Sequence, residues 1–243
     1  MATHFIMAHI KTQFEKDGFA ILDNCYTSAA VSELIQCIEA ADKTAPTFRK
    51  TQYLFAIRQF LKEVPAAIPL IFTDALTHLI HTVMGSNYFV VKSIYFDKPV
   101  QSNWFVAFHQ DLTISVAEKK EVVGFGPWTK KEGYFAVQPP LRILEDNCTI
   151  RIHLDDTTEE NGALKVIPLS HHKGIYRPES IDFSKEPIVN CAVAKGGIML
   201  MKPLLMHASG RTTNGNRRRV IHIEFGRSDL PPELAWAEQL SFC

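Results

Sequence analysis

The hydrophobic period changes near residue 87. Before that point apolar residues recur every three or four positions. Ile6, Ile10 and Phe14 predict a helix over 6–16, ended by Gly18. Phe19-Ala20-Ile21-Leu22 reads as a short strand. Thr27 or Ser28 can cap a helix over 28–42, whose stripe is Val31, Leu34, Ile35 and Ile38. Further helices are expected over 51–62, after a loop at Pro46, and over 66–84, with Pro65 between them and Gly85 as the stop. Residues 1–86 should form a mostly helical buttress against a sheet.

From 87 to 226 the period becomes two. Lys92, Ile94 and Phe96 share one face of a strand that ends at Asp97-Lys98-Pro99. Residues 147–155 alternate cleanly. Thr149, Arg151, His153 and Asp155 lie on one face, with Cys148, Ile150, Ile152 and Leu154 on the other. Glu160-Asn161-Gly162-Ala163 is a turn signal before the returning strand 164–167. Strands over 197–202 and 217–226 close the sheet. Residues 117–134, with Lys119, Lys120, Glu121, Lys130, Lys131 and Glu132, form a charged excursion, read equally well as a lid or as an exposed loop. Residues 171–187 should be irregular. Pro231-Pro232 opens a tail, 227–243, with Leu234, Trp236 and Leu240 at rough helical spacing. One mixed domain over 1–243, mainly β with flanking helices (α+β), is expected.

Charge alters this picture little. The 243 residues carry 26 Lys plus Arg and 26 Asp plus Glu, so nothing calls for a nucleic acid or a membrane surface as partner. No apolar run approaches the roughly 20 residues that cross a bilayer, and the N-terminus lacks the pattern of a signal peptide. Cys25, Cys37, Cys148, Cys191 and Cys243 are odd in number and scattered, which suits a reduced, cytoplasmic setting.

The chemistry gathers at Phe108-His109-Gln110-Asp111. On an extended segment His109 and Asp111 point the same way and offer a divalent metal one imidazole and one carboxylate. A histidine from a distant strand would complete the two-His-one-carboxylate face of non-haem Fe(II) oxygenases. His207 ends an apolar run and is the candidate. Arg218 follows it by 218 − 207 = 11 residues and could hold the far carboxylate of an oxo-acid co-substrate. Alone, a His-x-Asp pair is more often two hydrogen-bonded surface residues.

Three stretches resemble the phytanoyl-CoA dioxygenase family of Fe(II)/2-oxoglutarate oxygenases. They are the Trp104 to Asp111 run, Asn161-Gly162-Ala163-Leu164 through Pro168-Leu169-Ser170-His171, and His207-Ala208-Ser209-Gly210 followed by Arg218. Leu169 stands where the family usually has glycine, a change expected to affect a turn rather than the metal site. The resemblance runs from Lys16-Asp17-Gly18-Phe19 to Phe225. It implies a double-stranded β-helix (a jelly-roll barrel). It also implies Fe(II) on His109, Asp111 and His207, 2-oxoglutarate anchored by Arg218, and dioxygen as oxidant. The implied reaction hydroxylates an unactivated carbon and releases succinate and carbon dioxide.

Within the arginine run 217–219, the family spacing turns Arg218 inward and leaves Arg217 and Arg219 facing solvent. Lys92 and Ile94 should line the co-substrate side by strand alternation. Arg151 would assist 2-oxoglutarate, bind an acidic substrate, or pair with Asp155 or Glu145 at the surface. His153 should support the site rather than ligate, His171 and His172 should form a turn, and Arg58 should lie near the mouth. Gln110 and Asn103 would touch substrate or satisfy loop backbone groups. A small or medium metabolite is the expected partner, since no basic cluster serves a CoA phosphate. Two other classes would use the same residues: a Zn(II) hydrolase, in which Arg218 has no task, and a non-catalytic metal- and 2-oxoglutarate-binding barrel with a sensing role.

Overall fold

A computed structural model describes residues 2–42, 44–45, 47–50, 55–100 and 105–242. The strands, in chain order, are β1 Phe19–Leu22, β2 Phe48–Lys50, β3 Phe55–Arg58, β4 Phe89–Lys98, β5 Val106–His109, β6 Ile114–Val116 and β7 Trp128–Lys131. They continue as β8 Tyr134–Val137, β9 Cys148–His153, β10 Leu164–Val166, β11 Val189–Cys191, β12 Ile198–Met201, β13 His207–Ser209 and β14 Arg218–Gly226. The helices are α1 Ala2–Asp17, α2 Ser28–Glu39, α3 Phe60–Glu63, α4 Ile68–Ile71, α5 Asp74–Val83 and α6 Leu141–Asp146.

A seven-stranded sheet, β1-β12-β9-β14-β4-β3-β2, faces a four-stranded one, β11-β10-β13-β5. This is a double-stranded β-helix. The period-two pattern explains the layering. Ile150, Ile152, Ile221 and Ile223 point outward from the large sheet and bury against Val31, Leu34, Leu79 and Ile80 of the helices. The alternate residues of the same strands face the small sheet and carry the charges. Register aligns them in rows across β4, β14 and β9: Lys98 with Arg218; Phe96, Val220 and His153; Ile94, His222 and Arg151; Lys92, Glu224 and Thr149. Arg58 extends the third row, being paired with Ile94.

Three expectations need correction. Residues 55–58 are not helical: β3 pairs with the otherwise open edge of β4 and buries Ala56 and Ile57, so sheet pairing outweighs local propensity. Only Phe60–Glu63 makes a helical turn there, while 51–54 and Pro46 lie outside the described residues. The helix expected over 66–84 is broken, because Thr73 accepts a hydrogen bond from Leu76 N and caps a new helix. The two pieces bend by 73°, and among the described residues no single helix is long and apolar enough to cross a membrane. The tail is extended, not helical. Its Trp236 bridges to Val116 and its Leu240 to Val90, so the spacing reflects burial against strands.

The charged excursion is structured. β7 and β8 return as a hairpin and join β6 in a three-stranded sheet. Val116, Val137 and Trp236 bury beneath it, and Tyr134 points back toward the barrel.

Candidate metal centre and its cavity

A cavity of about 160 Å³ opens between the two main sheets. His109 ends β5 and His207 begins β13, and the two are register partners. A short link carries the chain from His109 to Asp111, whose N–H donates to Pro203 O (2.9 Å). Gln110, between them, is spent on the loops. Its Nε2 donates to Gly174 O (2.8 Å) and Leu204 O (2.7 Å), and its Oε1 accepts from Tyr176 N. It satisfies backbone groups and sets the turn that aims Asp111 inward. Asn103 and Trp104 lie outside the described residues.

Each imidazole is oriented by the same device. His109 Nδ1 donates to Ala107 O and His207 Nδ1 to Leu205 O, both at 2.8 Å. That fixes the proton on Nδ1 and leaves the Nε2 lone pair free. The two Nε2 atoms stand 3.8 Å from Asp111 Oδ1 and Oδ2 respectively. Burial pushes the His207 pKa down to about 4, so its ring is neutral. Burial acts to raise Asp111, but the basic surroundings outweigh it and hold the carboxyl below its usual range. Two imidazole nitrogens and one carboxylate converging on one point suit a divalent ion such as Fe(II).

A second group, Asp111, His222 and Glu224, is equally close together. It is a hydrogen-bonded network instead. Arg151 Nη1 donates to His222 Nδ1 (3.0 Å), so His222 carries its proton on Nε2 and donates it to Glu224 Oε1 (3.0 Å). Lys92 Nζ donates to the same oxygen at 2.6 Å. His222 has no free lone pair, and an ammonium already balances Glu224.

Two rows away is a cationic end. Arg218 is 5% exposed; Nη1 donates to Gly162 O, Nη2 to Ser209 Oγ (3.3 Å), and Nε has no partner. Lys98 Nζ donates to Gly210 O (2.7 Å). Burial, then Arg151, pushes Arg218 down to about 9; burial, then Arg218, pushes Lys98 down to about 8. Two buried cations held, among the described residues, by neutral oxygens form a seat for an anion.

Lys92, Ile94 and Arg151 do line the cavity. The surface pair considered for Arg151 does not form, because Asp155 is taken by Arg219. Arg219 Nε and Nη2 donate to it at 2.9 and 2.7 Å, and the side chain is 14% exposed. The expectation that Arg219 faces solvent is therefore corrected. It faces outward from the sheet, but α2 covers that face and Glu39 lies 3.8 Å away. Arg217 is 42% exposed and pairs with Asp97. His153 donates to or accepts from Thr157 Oγ1 (2.8 Å), and His171 and His172 stack in a turn against the end of α1. Sequence reasoning missed Ser209, Lys98, His222 and Glu224. The signal for the last two was present: Arg218, Val220, His222 and Glu224 alternate on one face of β14.

The family model for phytanoyl-CoA dioxygenase (PhyH) matches residues 14–220. The chain belongs to this family of Fe(II)/2-oxoglutarate-dependent oxygenases. Solved structures of similar fold agree with the barrel assigned to this family member. The α-ketoglutarate-dependent epimerase SnoN from nogalamycin biosynthesis superposes with a TM-score of 0.69 at 14% identity, over 98% of this chain and 90% of that one. EctD from S. alaskensis, determined with 2-oxoglutarate and 5-hydroxyectoine, gives 0.68 at 19% identity, over 90% and 75%. HygX from Streptomyces hygroscopicus, with nickel, 2-oxoglutarate and hygromycin B, gives 0.65 at 15%, over 90% and 87%. At these identities the likeness is one of fold. A search of curated proteins returned no match.

Proposed function

We propose that this oxygenase hydroxylates an unactivated carbon of a small or medium metabolite. His109, Asp111 and His207 hold Fe(II), and Arg218 with Ser209 holds the far carboxylate of 2-oxoglutarate. The observation that carries the reading is the pairing of two opposite features in one cavity. One end has three convergent metal-type donors with both imidazole tautomers set; the other has buried cations that no carboxylate pairs among the described residues.

When bound, iron supplies the oxidising chemistry: one oxygen of O₂ enters the C–H bond of the substrate as hydroxyl, and the other leaves in succinate as 2-oxoglutarate loses carbon dioxide. The chain's own residues bind and orient. Ala107 and Leu205 carbonyls keep both imidazole lone pairs aimed at one point. Arg218 fixes the length and direction of the co-substrate through a fork that suits a carboxylate. Lys92, Ile94 and Arg151 form the floor on which it lies, the charged pair held rigid through His222 and Glu224. Phe96, Val106, Leu164 and Val220 supply the dry walls. The four described cysteines are free, in keeping with a reduced, cytoplasmic setting.

The test is anaerobic titration with Fe(II) and then 2-oxoglutarate, read by the visible metal-to-ligand charge-transfer band. The band should form in the wild type and vanish in His207→Ala. Arg218→Gln should weaken 2-oxoglutarate about tenfold to hundredfold while iron affinity holds, the range expected for lost charge-assisted hydrogen bonds. Well-folded, metal-loaded wild type that forms no band would overturn the reading in favour of a hydrolase or a binding barrel.

A further inference from the structure

We infer that the metabolite oxidised here is an oxyanion, a carboxylate or a phosphate monoester, and that Arg58 holds its charged group, with Tyr134 positioning Arg58. This rests on the oxygenase reading above and names the substrate class for it.

Charge balance is the first argument. The main cavity is lined by Lys92, Lys98, Arg151 and Arg218 against Asp111 and Glu224. A small recess shares Lys92 and Ile94 with it and adds Arg58, Tyr134 and Glu238. Five cations therefore face three carboxylates. Fe(II) brings two positive charges and 2-oxoglutarate two negative ones, so loading the site leaves the surplus unchanged. Surplus cations in a semi-enclosed, low-dielectric space favour an anionic third component.

Position selects Arg58 among the five. Lys98 and Arg218 share the seat for the co-substrate's far carboxylate. Lys92 is matched by Glu224 at 2.6 Å. Arg151 also lacks a carboxylate, but it donates to His222 and lies on the floor beneath the co-substrate. Arg58 is different. Its register partner on β4 is Ile94, a cavity residue, so its side chain points to the barrel interior. Its Nη1 donates to Tyr134 Oη at 2.7 Å, and no carboxylate pairs with it among the described residues. The nearby Glu238 is taken: its two oxygens accept from Ser93 N and Ser93 Oγ. Among the described residues Arg58 thus keeps most of a five-donor fork unspent, in a recess that adjoins the main cavity through Lys92 and Ile94 and lies away from the co-substrate seat.

Tyr134 comes from β8, so the charged excursion takes part in the site. Its hydroxyl anchors the guanidinium and closes the recess from the outside. A bound oxyanion would take the remaining donors of Arg58, with its carbon skeleton lying over Ile94 toward His109 and Asp111.

The experiment uses Zn(II)-loaded chain saturated with N-oxalylglycine, which fills the co-substrate seat and permits no turnover. Calorimetry then measures binding of acetate, hexanoate, benzoate and phenylacetate, of their primary amides, and of phenyl phosphate. At least one acid or the phosphate should bind about tenfold more tightly than its amide or neutral counterpart. Arg58→Gln should remove that preference, Arg58→Lys should restore part of it, and Tyr134→Phe should weaken it less. N-oxalylglycine affinity should stay within about twofold throughout. Benzoate against phenyl phosphate distinguishes carboxylate from phosphate. Equal binding of acids and amides, no binding of any anion, or a loss of N-oxalylglycine binding in Arg58→Gln would each overturn the inference, the last by placing Arg58 in the co-substrate seat. Wild type that never takes N-oxalylglycine would instead sink the oxygenase reading, a failure distinct from all of these.

Discussion

At the scale of single residues, the site works by placing protons and charges. The Nδ1 donors of His109 and His207 each end on a backbone carbonyl two residues earlier, so the strand itself sets the tautomer. The cationic end has a measurable consequence. Lys98 titrates at about 8 in the folded chain because burial, and Arg218 after it, disfavour its charge, against an ordinary value of 10.5. Between those values the unfolded chain binds more protons than the folded one, so stability gains from this group as pH rises from about 8 to about 10. Lys98→Met lacks the buried charge. It should be more stable than wild type at pH about 7, and the difference in urea midpoint should shrink toward pH about 10. A difference that stays constant with pH would mean that the Lys98 charge is already compensated in the folded chain.

At the scale of elements, pairing decides more than propensity. β3 forms because β4 offers an open edge, and it thereby carries Arg58 to the barrel. The tail is held the same way. Trp236 is 8% exposed, bridges to Val116 and packs edge-on against Phe89 at 6.3 Å between centroids. Trp236→Ala should cost about 3–5 kcal/mol, the usual range for deleting a large buried aromatic. Because that packing supports β6 and the excursion behind Tyr134, the variant should also bind substrate-like acids less well than it binds 2-oxoglutarate. Chemical denaturation and calorimetry on one preparation would check both. A loss under about 1 kcal/mol would show that the tail merely rests on the barrel.

At the scale of the whole molecule, the barrel pairs strand residues as far apart as 201 − 19 = 182 positions, and metal should therefore stabilise the complete fold. A ligand at one hundred times its dissociation constant adds about 2.7 kcal/mol when it binds only the folded state. Adding Fe(II) or Zn(II) should raise the melting temperature by several degrees, chelator should reverse this, and His207→Ala should abolish it. Metal-independent melting would remove the ligand assignment. Much of this architecture was written locally. The switch from a period of four to a period of two separated helical layer from barrel, since each period buries one face of one kind of element. His109, Asp111, His207 and Arg218 were legible because their order and spacing match a family pattern, and Lys92 and Ile94 because alternation places them. What the chain could not state locally was which neighbour each face meets. The strand at 55–58, the broken helix before Val83, the buried Arg219 and the extended tail all depend on surfaces supplied by distant segments. The network from Arg151 through His222 and Glu224 to Lys92 joins three strands, and the union of Arg58 with Tyr134 joins two sheets. Sequence alone determined the period, the motif order and the donor types, because these depend on neighbours along the chain. Only the tertiary structure decided which charges are matched and which are left to bind something else, because matching is a property of distance in space.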